Sequence, residues 1–207
     1  MPERLTIPEL IARKREGGKK ISMVTAYDAG QAALVDEAGM DLILVGDSAA
    51  NVIHGHETTL PVTLDEMVMH TRAASRGRRK AVLVGDMPFM SYHGDHAEAV
   101  RNAGRFLKEG MADSVKLEGG LEVAGTVAAI VRAGIPVMGH VGLTPQHVHQ
   151  FGGFKVQGKD HARAKEIVEG AKALEAAGAW AIVVECVPTA LGQIITQAVS
   201  VPTIGIG

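Results

Sequence analysis

The chain has 207 residues, of which 46% are hydrophobic and 21% charged, the balance of a globular protein with a sizeable core. A formal charge of −2 and an aromatic content of 3% argue against nucleic acid or an anionic membrane as partner. The lone cysteine, Cys186, excludes an intrachain disulfide, no run reaches the roughly 18 apolar residues that span a bilayer, and the N-terminal stretch lacks a secretory apolar core. A cytoplasmic location is expected.

In chain order, Thr6-x-x-Glu9 is a capping-box pattern and predicts a short helix over ELIARKR, stopping near Gly17-Gly18. The apolar run ISMVTA (21–26) predicts a first strand, followed by a helix over AGQAALVDEAG. A second strand, DLILVG (41–46), precedes a helix over LDEMVMHTRAASRG, which Thr63-x-x-Glu66 caps. Three more pairs follow: AVLVGD (81–86) with HAEAVRNAGRFLKEG, SVKLE (114–118) with LEVAGTVAAIVRAG, and PVMGH (136–140) with HARAKEIVEGAKALEAAG. Between the last two elements, Thr144-Pro145 marks a further helix start. AIVVE (181–185), the helix TALGQIITQAV and the strand PTIGIG (202–207) complete the series. Most helical stretches stop at a glycine, as C-caps do.

Short strands, apolar on both faces and alternating with helices, imply a parallel sheet covered by helices. No Gly-x-Gly-x-x-Gly follows the first strand, which disfavours a doubly wound dinucleotide fold and favours an α/β (β/α)8 TIM barrel. Only seven strands are counted, and the sequence stops within the seventh. Strand eight and its helix are therefore expected to be missing, with residues 1–207 forming a single barrel domain that is C-terminally incomplete.

Barrel chemistry sits at the C-terminal strand ends. Those ends carry Thr25 and Tyr27, Asp47 and Ser48, Asp86, Lys116 and Glu118, His140, and Glu185. Two strands finish alike, in Gly46-Asp47 and Gly85-Asp86, where the glycine permits a tight turn at the rim. An unpaired carboxylate at the end of an apolar strand is costly. Asp47 and Asp86 together suit a hard divalent cation such as Mg²⁺, which takes oxygen ligands and keeps positions for water or substrate. Glu118 is either a third ligand or the holder of a coordinated water. Lys116 alternates with Leu117 and so points the same way as Glu118, placed to neutralise an anionic small-molecule substrate beside the metal.

Other features carry less. The pairs His54-Gly-His56 and His147-Val-His149 lack the partners of a zinc site and read as solvated loops. Cys186 reads as a buried structural thiol, the methionines as core filler, and FGGFKVQG (151–158) as a mobile lid or a subunit contact.

The segments MVTAYDAGQA, LVGDSAANV, TTLPVTLDEMVMHTRA, VGDMPFMSY, VKLEGG, GIPVMGHVGLTPQ, GGFKVQG, ALEAAGA, VVECVP and PTIGIG, in this order from about residue 21 to 207, resemble the ketopantoate hydroxymethyltransferase family. The resemblance implies a Mg²⁺-binding (β/α)8 barrel assembled as a homodecamer. It implies transfer of the one-carbon unit of 5,10-methylenetetrahydrofolate to 3-methyl-2-oxobutanoate, towards pantothenate and coenzyme A. By this resemblance Asp47 and Asp86 match the metal-binding acids and Glu118 the acid associated with the metal. Asp47, Ser48, Asp86 and Lys116 match positions that contact the keto acid, and Glu185 matches the catalytic base. The sequence departs in reading Ala49-Ala50-Asn51 where many members have Leu-Gly, at the lip of the pocket. Two other readings compete: a phosphoenolpyruvate mutase or isocitrate lyase-like enzyme on a Mg²⁺-bound 2-oxo acid, and a non-catalytic metabolite-binding barrel. The lid-loop Lys-Lys-Cys-Gly-His of such lyases does not occur, since Cys186 adjoins Glu185.

Overall fold

The computed structural model describes residues 4–207. Its strands are β1 (Met23–Thr25), β2 (Leu42–Val45), β3 (Val82–Asp86), β4 (Ser114–Lys116), β5 (Val137–Gly142), β6 (Ala181–Glu185) and β7 (Thr203–Ile206). They form one sheet in sequence order, every neighbouring pair parallel. The helices are α1 (Ile7–Arg15), α2 (Ala29–Glu37), α3 (Ala49–Val52), α4 (Leu64–Gly77), α5 (His96–Lys108), α6 (Ala124–Arg132), α7 (Val148–Phe151), α8 (His161–Ala176) and α9 (Thr189–Ala198).

Both capping boxes form. Glu9 Oε2 accepts from Thr6 N at 2.7 Å, and Glu66 Oε2 accepts from Thr63 N at 2.8 Å, so each helix start satisfies its free donors. Gly39, Gly134 and Gly178, just past α2, α6 and α8, have φ of 81°, 85° and 97°, the left-handed stop that glycine adopts at least cost. The single-turn α3, directly after Asp47-Ser48, has no counterpart in the sequence reading. Four residues offer too little periodicity to announce a helix.

Alternation along the strands sorts the core into two compartments. Ile43, Val45, Leu83, Val115, Ile182 and Val184 face outward and pack beneath the helices with Met67, Phe106, Ile130 and Leu174. Leu42, Leu44, Val82, Val84, Met138, Ala181, Val183 and Ile204 face inward and meet in a second cluster. That interior cluster draws on β2, β3, β5, β6 and β7 and curls the sheet into a nearly closed barrel. β1 and β7 are its two edges, where Val24 and Ile206 are exposed.

Helix α1 closes the barrel at its N-terminal end. Leu10 is buried in the interior cluster. Leu5 N donates to Lys80 O ahead of β3, Arg13 pairs with Asp41 at 2.6 Å ahead of β2, and Lys14 Nζ donates to Thr196 O of α9. Those anchors tie the helix to both sides of the open seam. Leu10→Ala would leave a cavity where no neighbour can collapse easily. It should cost about 2–5 kcal/mol, checked by urea unfolding; a loss below about 1 kcal/mol would show that α1 is not a plug.

Candidate active site

The inward phase that puts Val82 and Val84 in the core continues upward to Asp86. On β4 it continues from Ser114 to Lys116 and then Glu118, on β5 from Met138 to His140, and on β6 from Ala181 and Val183 to Glu185. Period-two geometry therefore stacks the acids, the lysine and the histidine above an apolar floor. The two Gly-Asp ends need glycine for space rather than for a turn. A Cβ at Gly85 would strike the Phe106 ring, and one at Gly46 would lie 2.7 Å from Ser48 Oγ, while neither residue has a left-handed φ.

The polar groups form one connected network. Lys116 Nζ stands 2.8 Å from Asp86 Oδ1, 3.8 Å from Glu118 Oε1 and 3.2 Å from His140 Nδ1. His140 lies between two acids, with Nδ1 3.5 Å from Glu118 Oε1 and Nε2 3.1 Å from Glu185 Oε2. Asp47 N donates to Asp86 Oδ2 at 3.1 Å, joining the two Gly-Asp ends. Ser48 Oγ is 2.9 Å from the Tyr27 hydroxyl. Asp47, Asp86, Lys116, Glu118 and His140 are all buried, and Glu185 is half-buried at the open side.

Burial and mutual repulsion set the charge states. Burial, then the Asp86 and Glu118 carboxylates, push Asp47 up to about 8. Asp86 is also raised, by burial against the opposing pull of Lys116. Burial works against a charged Lys116, but Asp86, Glu118 and Asp47 together outweigh it and hold the ammonium form. At His140, burial and Lys116 favour the neutral ring, yet hydrogen bonding to Glu118 and Glu185 prevails and raises its pKa. Glu118 is lowered: burial opposes its charge, and His140 and Lys116 overcome it.

All six side chains singled out from the sequence thus lie in or beside one network. Three contributors were not assigned a role: His140, recognised only as a polar strand end, and Tyr92 and Gln146. Tyr92 OH lies 2.7 Å from Gln146 Oε1, and Gln146 Nε2 donates to Asp47 Oδ2 at 2.9 Å. Both come from connecting segments, where no periodicity points to them. The histidine pairs do not build a metal cage; His54 Nε2 lies 2.9 Å from His70 Nε2, and His147 Nδ1 lies 3.0 Å from Thr144 Oγ1. Cys186 is half-buried rather than buried, with φ of 50°, because the chain turns sharply out of β6 there. In the 151–158 segment Phe154 is exposed, while Gln157 N donates to Cys186 O beside Glu185.

A family model for ketopantoate hydroxymethyltransferase matches residues 4–207. The chain belongs to this family. It is 57% identical over 204 residues to a 3-methyl-2-oxobutanoate hydroxymethyltransferase of Syntrophomonas wolfei, an alignment covering 99% of this chain and 74% of that relative. Among solved structures, a putative phosphonomutase from Burkholderia cenocepacia superposes with a TM-score of 0.72 at 20% identity, covering 97% of this chain and 83% of that one. Phosphonopyruvate hydrolase in complex with oxalate and Mg²⁺ superposes with a TM-score of 0.67 at 17% identity, covering 98% and 80%. At such identities the likeness is one of fold alone. Among the described residues no helix is long and apolar enough to cross a membrane.

Because Asp47 keeps its proton to about pH 8 when folded but only to about pH 4 when unfolded, the folded state binds the extra proton between those values. Metal-free stability should therefore fall as pH rises through that window. Asp47→Asn should raise the metal-free melting temperature by a few degrees at pH 8 and leave it unchanged at pH 4, as read by calorimetry at both pH values. Equal effects at the two pH values would contradict the charge argument.

Proposed function

We propose that this chain transfers the one-carbon unit of 5,10-methylenetetrahydrofolate to 3-methyl-2-oxobutanoate, giving ketopantoate. The observation that carries the reading is the single buried network of Asp47, Asp86, Lys116, Glu118 and His140, open at Glu185, in a chain of this family. The lone cysteine and the metabolic role support a cytoplasmic location. The family resemblance supports assembly into an oligomer, the homodecamer it implies.

The residues fit Mg²⁺. Four carboxylates, Asp47, Asp86, Glu118 and Glu185, face only Lys116 and His140. Even with both bases charged, the fully ionised cluster carries two negative charges in excess, which a divalent cation would cancel. Asp86 Oδ1 sits at ion-pair distance from Lys116 but has no aligned hydrogen-bond donor, so it keeps a lone pair for a cation. Among the described residues no three His, Cys, Asp or Glu side chains form a ready-made cage. Asp47 and Asp86 would hold the ion directly. Glu118, with Oε2 accepting from Gln146 N at 3.0 Å, is better placed to act through a water. When bound, Mg²⁺ supplies Lewis-acid polarisation of the keto group.

The chain's own groups do the rest. Lys116 sets a positive charge beside the substrate carboxylate and the oxyanion that grows on the keto oxygen. Ser48 offers its hydroxyl to the keto acid at the rim. Glu185, held 3.1 Å from His140, takes the proton from the branched carbon. That carbon then bonds to the folate methylene carbon, both methylene–nitrogen bonds break, and water supplies the hydroxyl oxygen; the proton taken by Glu185 and the one released by water end on the two folate nitrogens.

Glu185→Gln should keep keto-acid binding while slowing exchange of the branched-carbon proton with deuterated solvent by at least about 100-fold. Unchanged exchange, followed by NMR, would remove Glu185 from the role of base. Asp86→Ala should weaken Mg²⁺-dependent keto-acid binding more than about 100-fold, beyond the effect of outer partners. Calorimetry that finds full binding without metal would overturn Asp86 as a metal ligand.

A further inference from the structure

Gln146 lies just after β5, in the short 3-10 turn Pro145–His147, and is buried although it is polar and comes from a connection. Its side chain uses every hydrogen-bonding direction that matters. Nε2 donates to Asp47 Oδ2 at 2.9 Å and to Met87 O at 3.0 Å, and Oε1 accepts from Tyr92 OH at 2.7 Å. Its backbone N donates to Glu118 Oε2 at 3.0 Å. Tyr92 is pinned in turn, since its hydroxyl accepts from Glu118 N at 3.1 Å. One residue therefore touches two of the acids, on the β2 and β4 sides of the site, and the backbone that follows Asp86.

The orientation of the amide is determined by its neighbours. Turned over, its oxygen would face the Met87 carbonyl and Asp47, which is an acceptor only in the ionised form that a cation requires. A carboxylate in its place would meet the same two acceptors with added charge. Volume alone thus cannot explain the residue; a donor is required there.

We infer that Gln146 is a positioning residue, which through its amide and backbone N–H fixes Asp47 and Glu118 in the orientation that receives the cation. The inference rests on the Mg²⁺ reading above. By tying up Oδ2 of Asp47 it directs the remaining oxygen at the ion, and it couples the loop after β5 to the loading of the site.

The test measures Mg²⁺ alone, by calorimetry without keto acid or folate, on the unmodified protein, Gln146→Glu, Gln146→Met and Tyr92→Phe, with melting temperature recorded for each. Outer partners of this kind typically contribute 10–100-fold in metal affinity. Gln146→Glu and Gln146→Met should both weaken Mg²⁺ binding by about 10-fold or more, although Glu preserves shape and Met preserves volume. Tyr92→Phe, which removes the hydroxyl that orients the amide and that also accepts from Glu118 N, should weaken it by about 3-fold or more and stands as the deciding variant if the Gln146 variants do not fold. In turnover, Gln146→Met should raise the keto-acid KM more than it lowers kcat. Mg²⁺ affinity within about 2-fold of the unmodified protein in the folded variants overturns the assignment alone. Failure of the unmodified protein to bind Mg²⁺ overturns the metal reading, and this assignment with it.

Discussion

The Lys116–Asp86 ion pair, 2.8 Å long and enclosed at the mouth of the barrel, is the interaction on which the rest of the site depends. Removing two charges from water is costly, and a buried pair recovers that cost only when the surrounding groups also use its remaining donors and acceptors. Here they do. Glu118 and His140 share the ammonium, Asp47 N donates to Asp86, and Glu185 completes the line through His140. The network remains biased towards negative charge, so its stability is conditional on what binds to it. That excess of negative charge is what the proposed cation would cancel.

The scaffold places most of this network by alternation. Inward residues of β2, β3, β5, β6 and β7 fill the interior up to a level, above which the same phase on β3 to β6 delivers Asp86, Lys116, Glu118, His140 and Glu185; Asp47, out of phase with Leu42 and Leu44, is set by the turn that leaves β2. Leu10 seals the opposite end. Polar chemistry is thus confined to one end of the barrel by packing at the other, and the connections after the strands are free to add groups such as Gln146 without disturbing the floor.

Much of this was legible in the sequence. The strands and their helices announce themselves because apolar runs of four to six residues alternate with longer amphipathic stretches closed by glycines. Asp86, Lys116, Glu118 and Glu185 follow once a parallel barrel is accepted, since their phase along the strand fixes where they point, and Asp47 follows as a residue at a strand end. Two features were misjudged for one reason. The glycines before Asp47 and Asp86 answer to the space left by Phe106 and Ser48, and the exposure of Cys186 answers to the turn leaving β6. Phe106 is distant in sequence from Gly85, and the left-handed turn at Cys186 is a backbone path that residue type does not announce.

The sequence by itself determined the class of fold, the end of the barrel at which chemistry occurs and the kinds of group that gather there, because periodicity and residue type are local properties of the chain. Only the tertiary structure decided who pairs with whom. That His140 bridges Glu118 and Glu185, and that Gln146 reaches back across 99 positions to Asp47, are consequences of strand register and loop path. Hydrogen bonds demand placement to within a few tenths of an ångström, and such placement exists only once distant segments have packed.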